Sequence, residues 1–337
     1  MIAIPTYENV HSFGALLAAF RKARRAKRGR GDEPVFYLEL ESNLLALSDA
    51  LRTRSFVPDA YRYFSLHNRK DRVVSVASFR DRVVHHSLVA ELEPFYESRF
   101  IPTSFACRKN KGMHRALKLA HVLSRQHRYF LKLDIRKYFD HISHPILLDT
   151  LALDVSDDGI LWLSRTLLDN ARVPDVAPSE HRGVPIGNLT SQFWANVYLN
   201  RLDHAVAAAF SGLAYLRYMD DILVFGANTA VLWPVERFAS RYVAQELNLE
   251  MKDKATVVAP VSEGIPWLGF RMFPALVRLD HESKARFLRK MTANADRAIR
   301  YGETDSVVSS AASLCGHVMH CNSLRLRQRH FGQVDDV

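Results

Sequence analysis

Short apolar runs separated by polar breaks divide this chain into strands and helices. Leu213-Ala214-Tyr215-Leu216 and Ile222-Leu223-Val224-Phe225 read as two buried strands, and the break between them, with Asp220 and Asp221, reads as a hairpin turn. Tyr129-Phe130-Leu131-Lys132-Leu133 reads as another buried strand, ending in Asp134. Nearer the start, Tyr61 to Leu66 and Val73 to Val76 form an expected hairpin around the polar segment His67 to Arg72. Helical spacing takes over elsewhere. Phe13, Leu16, Leu17 and Phe20 repeat on one face. From Asn188 to Asp203, Leu189, Phe193 and Val197 share one stripe while Gln192, Asn196 and Asn200 share another, facing a ligand or capping neighbouring loops. Near the end, Phe287, Met291, Ala295 and Ala298 or Ile299 keep a helical stripe, with Arg286, Lys290 and Arg297 on other faces. His85 and His86 fall on an expected helix as packing or capping residues, and Tyr138 is a core candidate.

Asp134, Asp220 and Asp221 each stand where an apolar strand stops. Burying unpaired carboxylates costs several kcal/mol, so a cation is their expected partner. Alone, the Asp220-Asp221 pair fits any polar hairpin turn. Asp134 changes that balance, because neighbouring strands in one sheet would bring it to the same place. Two Mg²⁺ ions about 3.5–4 Å apart can activate a 3′-hydroxyl and neutralise a leaving pyrophosphate. Carboxylate oxygens are the hard ligands that such ions take.

The 337 residues, 48% of them hydrophobic, are enough for one large or two smaller domains with a substantial core. A net charge of +10 and a pI near 9.6 favour a polyanionic partner, bound in a salt-dependent way. Seven cations lie within the ten residues from Arg21 to Arg30, which fits an RNA-phosphate grip or a solvated link. Three cysteines point to a reducing cytosol without a disulfide framework. Neither an export signal nor a run of 18 apolar residues is present, so a cytoplasmic protein without a membrane partner is expected. Cys315, His317, His320 and Cys321 invite a zinc site, but four ligands within seven helical residues do not easily converge on one tetrahedron.

Four segments, in order, resemble the palm motifs and primer grip of reverse transcriptases. They are Phe130-Leu131-Lys132-Leu133-Asp134 with Phe139; Gly183-Val184-Pro185-Ile186-Gly187 with Ser191-Gln192 and Ala195-Asn196; Tyr218-Met219-Asp220-Asp221; and Trp267-Leu268-Gly269-Phe270. The resemblance implies an α/β (α+β) right-hand polymerase with fingers, a palm of antiparallel sheet flanked by helices, and a helical thumb. The expected divisions are an N-terminal helix and basic link at 1–34, fingers with some palm elements at 35–130, palm at 131–275 and thumb at 276–337.

It also implies roles for individual residues. Asp134 and Asp220 would hold two Mg²⁺, with Mn²⁺ as a substitute, Asp221 would be a weaker ligand or electrostatic support, and Ile135 would add its backbone carbonyl. Arg72 and Arg80, with Lys70 a weaker candidate, would close over the incoming triphosphate, while Arg82 would serve equally well pairing with Asp81 or another carboxylate. Phe139 would occupy the space of a ribose 2′-hydroxyl and so select deoxynucleotides. Ile186, Gly187 and Gln192 would face the nascent base pair, where glycine lets backbone approach closely, and Lys254 would stand near the leaving pyrophosphate. Template and primer would meet Arg24, Arg25, Arg28, Tyr218, Leu268, Gly269, Arg286 and Lys290.

Within the family, Ile186 to Gln192 followed by Asn196 to Asn200, Phe79 to His86, and Ala106 to Gly112 resemble the reverse transcriptases of diversity-generating retroelements. Ile186 stands where most reverse transcriptases have glutamine, and the resemblance implies error-prone copying of template adenines. Implied partners are a template RNA, a DNA or RNA primer, dNTPs and a small, basic, oligomeric accessory protein. A bacterial or phage-encoded source is also implied. Defence-associated bacterial reverse transcriptases share parts of these motifs and form the alternative, and an RNA-binding scaffold without catalysis is the reading from outside the polymerases.

Overall fold

The computed structural model describes residues 3–25, 28–67, 71–171, 176–302 and 304–331. The chain forms two compact, discontinuous units. One comprises Met1–Arg108, Ile135–Ala209 and Phe238–Lys252; the other comprises Lys109–Asp134, Phe210–Arg237 and Asp253–Val337.

The first unit is mainly helical. The helix Phe13–Arg24, capped by the Ser12 hydroxyl accepting from Ala15 N, buries Leu16 and Phe20 against the helix Phe79–Glu97 and leaves Phe13 exposed. Phe79–Glu97 is buried nearly all round, as is Leu189–Ala209, which packs on it, so both form the core of the unit. The fully buried His85 ties them together through a 3.0 Å hydrogen bond with the Thr190 hydroxyl. An antiparallel hairpin, β1 (Arg62–His67) and β2 (Asp71–Val76), completes the unit, in register from Arg62 opposite Val76 to His67 opposite Asp71.

In the second unit the apolar runs become an antiparallel four-stranded sheet. Its strands are β3 (Tyr129–Asp134), β4 (Ala214–Tyr218), β5 (Asp221–Gly226) and β6 (Val257–Pro260), in the order β4-β5-β3-β6. Leu131, Leu133, Ile222, Val224 and Tyr215 alternate onto one buried face, and the helix Met113–Gln126 packs against β4. A second antiparallel sheet follows: β7 (Ile265–Trp267), β8 (Phe270–Met272) and β9 (Val277–Leu279). The helices His281–Tyr301 and Asp305–Val318 then pack on each other. Among the described residues no helix is long and apolar enough to cross a membrane.

The buried stripe of the first C-terminal helix differs in part from the sequence expectation, with Phe287 buried and Met291 and Ala298 half-buried as expected. The buried stripe of His281–Tyr301 runs through Phe287 and Asn294, whereas Ala295 and Ile299 face outward. Asn294 earns its buried place by donating to Ser310 Oγ at 3.0 Å.

Candidate active site

β4 and β5 are joined by a two-residue turn, Met219-Asp220, so the last pair of the ladder is Tyr218 opposite Asp221. Of the two turn residues only Met219 has positive φ, 56°. That sign pattern belongs to the type II′ hairpin turn, whose first central position favours glycine. On its other edge β5 pairs with β3, and the register ends with Asp134 opposite Asp221. Tyr218, Asp221 and Asp134 thus form one row across three strands, with Asp220 in the adjoining turn. Cβ atoms of directly paired residues lie about 4.5–5.5 Å apart, within reach of a shared ion. The register puts Asp221, not Asp220, opposite Asp134.

Lys132 lies two residues before Asp134 on the same face of β3, and its Nζ is 3.6 Å from Asp221 Oδ1. A cation is therefore already drawn to the carboxylate row. The donor set of three aspartates suits Mg²⁺. Among the described residues no three His, Cys, Asp or Glu side chains converge into a metal cage. Carboxylate oxygens are the ligands that Mg²⁺ takes, with waters and substrate phosphates completing its shell.

Other candidates share this second unit. Lys254 is exposed in the single turn Asp253–Ala255, which packs against β3. Leu268 (φ 50°) and Gly269 (φ 84°) form the left-handed turn between β7 and β8. A Cβ on Gly269 would meet Ser283 Oγ at 2.8 Å, so the turn sits tightly on the first turn of His281–Tyr301. Arg286 and Lys290 are exposed along that helix. Of the side chains weighed for zinc, His320 stacks on His114 (3.4 Å between ring centroids), His317 faces the Phe270 ring, and Cys321 donates to Val318 O.

In the first unit, the chain leaves Asp134 straight into the buried Ile135, which bridges Met251. Phe139 is half-buried with its ring edge-on to Tyr138, and its carbonyl accepts from Val184 N at 2.8 Å. Gly183 N donates to Ile142 O at 2.8 Å, so the backbone binds the Phe139 segment to the Gly183–Gly187 turn. Tyr138 is core, its hydroxyl donating to Ala195 O.

The turn is fixed to the β1-β2 hairpin as well, for Ser75 N donates to Ile186 O at 3.0 Å. Gly187 has φ 115°, and a Cβ there would come within 2.9 Å of Val74 Cγ1. Its immediate requirement is thus packing against β2. The Ile186 and Gln192 side chains are half-buried. Asn196 is buried and donates to Ala106 O at 2.8 Å, so of the two readings of the amide line this residue meets the loop-capping one.

The cations of this unit are mostly engaged within it. Arg80 pairs with Asp59 and Asp81 at 3.1 Å each, donates to Val57 O and lies over the Phe56 ring. Burial pushes the Asp81 carboxyl up to about 6. Arg82 instead donates to Ala23 O. Arg24 is ion-paired with the buried Glu33 and stacked over Tyr37 at 3.8 Å, whereas Arg25 and Arg28 are exposed. These arginines, with Arg21, line a groove of about 520 Å³. Lys70 and the side chain of Arg72 lie outside the described residues.

Sequence reasoning missed Lys132, read only as part of an apolar strand, and Arg217, a fully buried arginine in β4. The available signal for both was a lone cation inside an apolar run.

A family profile described as "Reverse transcriptase (RNA-dependent DNA polymerase)" matches residues 65–272. Among curated proteins, Protein YkfC of Escherichia coli (strain K12) is 25% identical over 276 residues, covering 69% of this chain and 72% of YkfC. Group II intron-encoded protein LtrA of Lactococcus lactis subsp. cremoris is 26% identical over 170 residues, covering 49% of this chain and 28% of LtrA. Among solved structures, apo telomerase from Candida tropicalis matches with a TM-score of 0.52 at 10% identity, over 82% of this chain and 60% of that one. A form truncated from the C-terminal domain matches at 0.50 and 12% identity, over 67% and 55%. At these identities the likeness speaks to the fold alone, a mixed α/β polymerase right hand with antiparallel sheets.

Proposed function

Because this chain belongs to the reverse transcriptase (RNA-dependent DNA polymerase) family, we propose that it copies a template RNA into DNA by two-metal nucleotidyl transfer. The observation that carries this reading is Asp134 opposite Asp221 at the ends of adjacent strands, with Asp220 in the turn beside them. Asp134, Asp220, Asp221 and the Ile135 carbonyl would hold two Mg²⁺, or Mn²⁺ in substitution. Such ions would supply the charge that activates a primer 3′-hydroxyl and neutralises a leaving pyrophosphate.

Selection of the nucleotide falls to Phe139, which blocks a 2′-hydroxyl, and to Ile186, Gly187 and Gln192. Arg72, Arg80 and Lys254 serve the triphosphate, so Arg80 must exchange Asp59 and Asp81 for phosphate oxygens. Tyr218, Leu268 and Gly269 serve the primer end, and Arg286 and Lys290 the duplex. Arg25 and Arg28 serve template RNA, with Arg24 holding their helix end to Glu33.

The finer reading is a retroelement enzyme that copies template adenines inaccurately and works with a small basic accessory protein. Ile186 supports it, since an aliphatic side chain cannot hydrogen-bond to the nascent pair. Extension of a primed RNA with each dNTP and rNTP tests the polymerase reading: dNTP-dependent extension is expected, and its absence would contradict it. Sequencing the cDNA tests the finer one, which errors spread evenly over the four template bases would refute.

A further inference from the structure

Behind the carboxylate row lies a second row of paired residues. Arg217 of β4 is opposite Ile222 of β5, and Ile222 is opposite Leu133 of β3. Because side chains alternate along strands, this row faces away from Tyr218, Asp221 and Asp134. All three of its members are buried, at 0%, 1% and 0% exposure, so a guanidinium occupies an otherwise aliphatic row. Stripping a permanently charged group of water is unfavourable unless hydrogen bonds replace the lost solvent.

One replacement is explicit. Arg217 Nη1 donates to the carbonyl of Met219 at 3.1 Å. That carbonyl belongs to the peptide leading into Asp220, and Met219 is the residue held at φ 56° where a turn of this kind favours glycine. A strained conformation persists only where its surroundings over-determine it. Here the surroundings are the buried Met219 side chain and the arginine beneath it.

We infer that Arg217 is a positioning residue for the acid turn: from the face opposite the carboxylates, its guanidinium holds the Met219–Asp220 peptide and so sets the aim of Asp220. Its sequence position, two residues before the turn, lets one side chain reach back over the turn that its own strand enters. Lysine offers three rotatable donors on a compact ammonium but not the planar fork.

The inference rests on the reading of Asp220 as a metal ligand, so a measurement that separates the two is needed. Mn²⁺ binding is titrated by electron paramagnetic resonance on the complex with primed RNA, a dideoxy-terminated primer and the next dNTP. Four enzymes are compared: wild type, Arg217→Met, Met219→Gly and the double variant. Arg217→Met is expected to weaken Mn²⁺ binding by about tenfold, the scale of one misaligned charge-assisted contact, with primer–template affinity unchanged. In the Met219→Gly background, where the turn no longer needs holding, the same substitution should cost threefold or less, on the scale of about one pair-coupling term.

An equal loss in both backgrounds overturns the inference, as does a wild-type Mn²⁺ titration for folded Arg217→Met. If Arg217→Met does not fold, Arg217→Lys is read in its place and must show the same weakening in smaller degree; a wild-type curve overturns the inference there too. Asp220→Ala serves as the separate control. Unaltered Mn²⁺ binding by that variant defeats the metal reading itself, whatever Arg217 does.

Discussion

Lys132 Nζ sits 3.6 Å from the Asp221 carboxylate, on the face of β3 that also carries Asp134. A resident cation stabilises the carboxylate row when no metal is there and repels a metal that arrives. Both side chains are partly exposed, so solvent screens the effect. Lys132→Met is expected to lower the Mg²⁺ concentration for half-maximal extension about threefold, the modest size such screening allows. Metal-dependence curves of the two enzymes check it, and a raised Mg²⁺ requirement would contradict the repulsion argument.

Phe139 keeps its backbone tied to Val184 whatever its side chain. Phe139→Ala should therefore remove the steric block proposed for its ring without displacing the turn. The expected outcome is a rise of about 10- to 100-fold in rNTP over dNTP preference, the range that one repulsive contact commands. Competitive incorporation opposite a fixed template base measures it.

Gly187→Ala meets two obstacles, a φ of 115° and Val74 Cγ1 at 2.9 Å. Together they should cost about 1–3 kcal/mol of stability. Chemical denaturation would show a lower midpoint with an unchanged slope. A wild-type midpoint would mean that the turn relaxes away from β2.

Burial pushes the His85 imidazole down to about 3 and that of His86 to about 4, with neighbouring positive charge adding to the effect. Below the ordinary imidazole value near 6.5 the unfolded chain binds protons that the folded one refuses. Stability then falls as pH falls, by about 1.4 kcal/mol per unit for the buried His85 and by less for the partly exposed His86, which solvent screens. Asp81 acts in the opposite sense, since its raised value near 6 makes the folded chain bind a proton more readily than the unfolded chain between about 4 and 6. Urea midpoints at pH 7.5 and 5.5 should show loss on acidification, and His85→Gln should lose less than wild type. An identical loss in the variant would exclude His85 as a source.

The strands that carry the acids were legible because each is a compact apolar run that stops at a carboxylate. Their register was not, since nothing in the sequence aligns β3 with β5, and it is the register that makes Asp221 the partner of Asp134. Phe139 and the Gly183–Gly187 segment were legible as motifs, while the Val184–Phe139 hydrogen bond between them was not. Arg80 and Arg24 illustrate the commonest obstacle. As isolated cations they look available to nucleic acid, but Asp59, Asp81 and Glu33 engage them through contacts that only folding creates. Arg217 shows the converse, since pattern reading treats a strand arginine as solvent-facing and the sheet buries it.

The most direct test of the central claim is single-nucleotide incorporation on a primed RNA by wild type, Asp134→Asn and Asp221→Asn, with primer–template affinity measured alongside. Asparagine keeps the shape of each side chain and removes the charge that a metal requires. The pairing of these two residues across β3 and β5 predicts that each substitution slows incorporation by about 100-fold or more, as loss of a metal ligand should, while primed RNA remains bound. Wild-type incorporation by either variant would contradict the assignment of this carboxylate row as the polymerase centre.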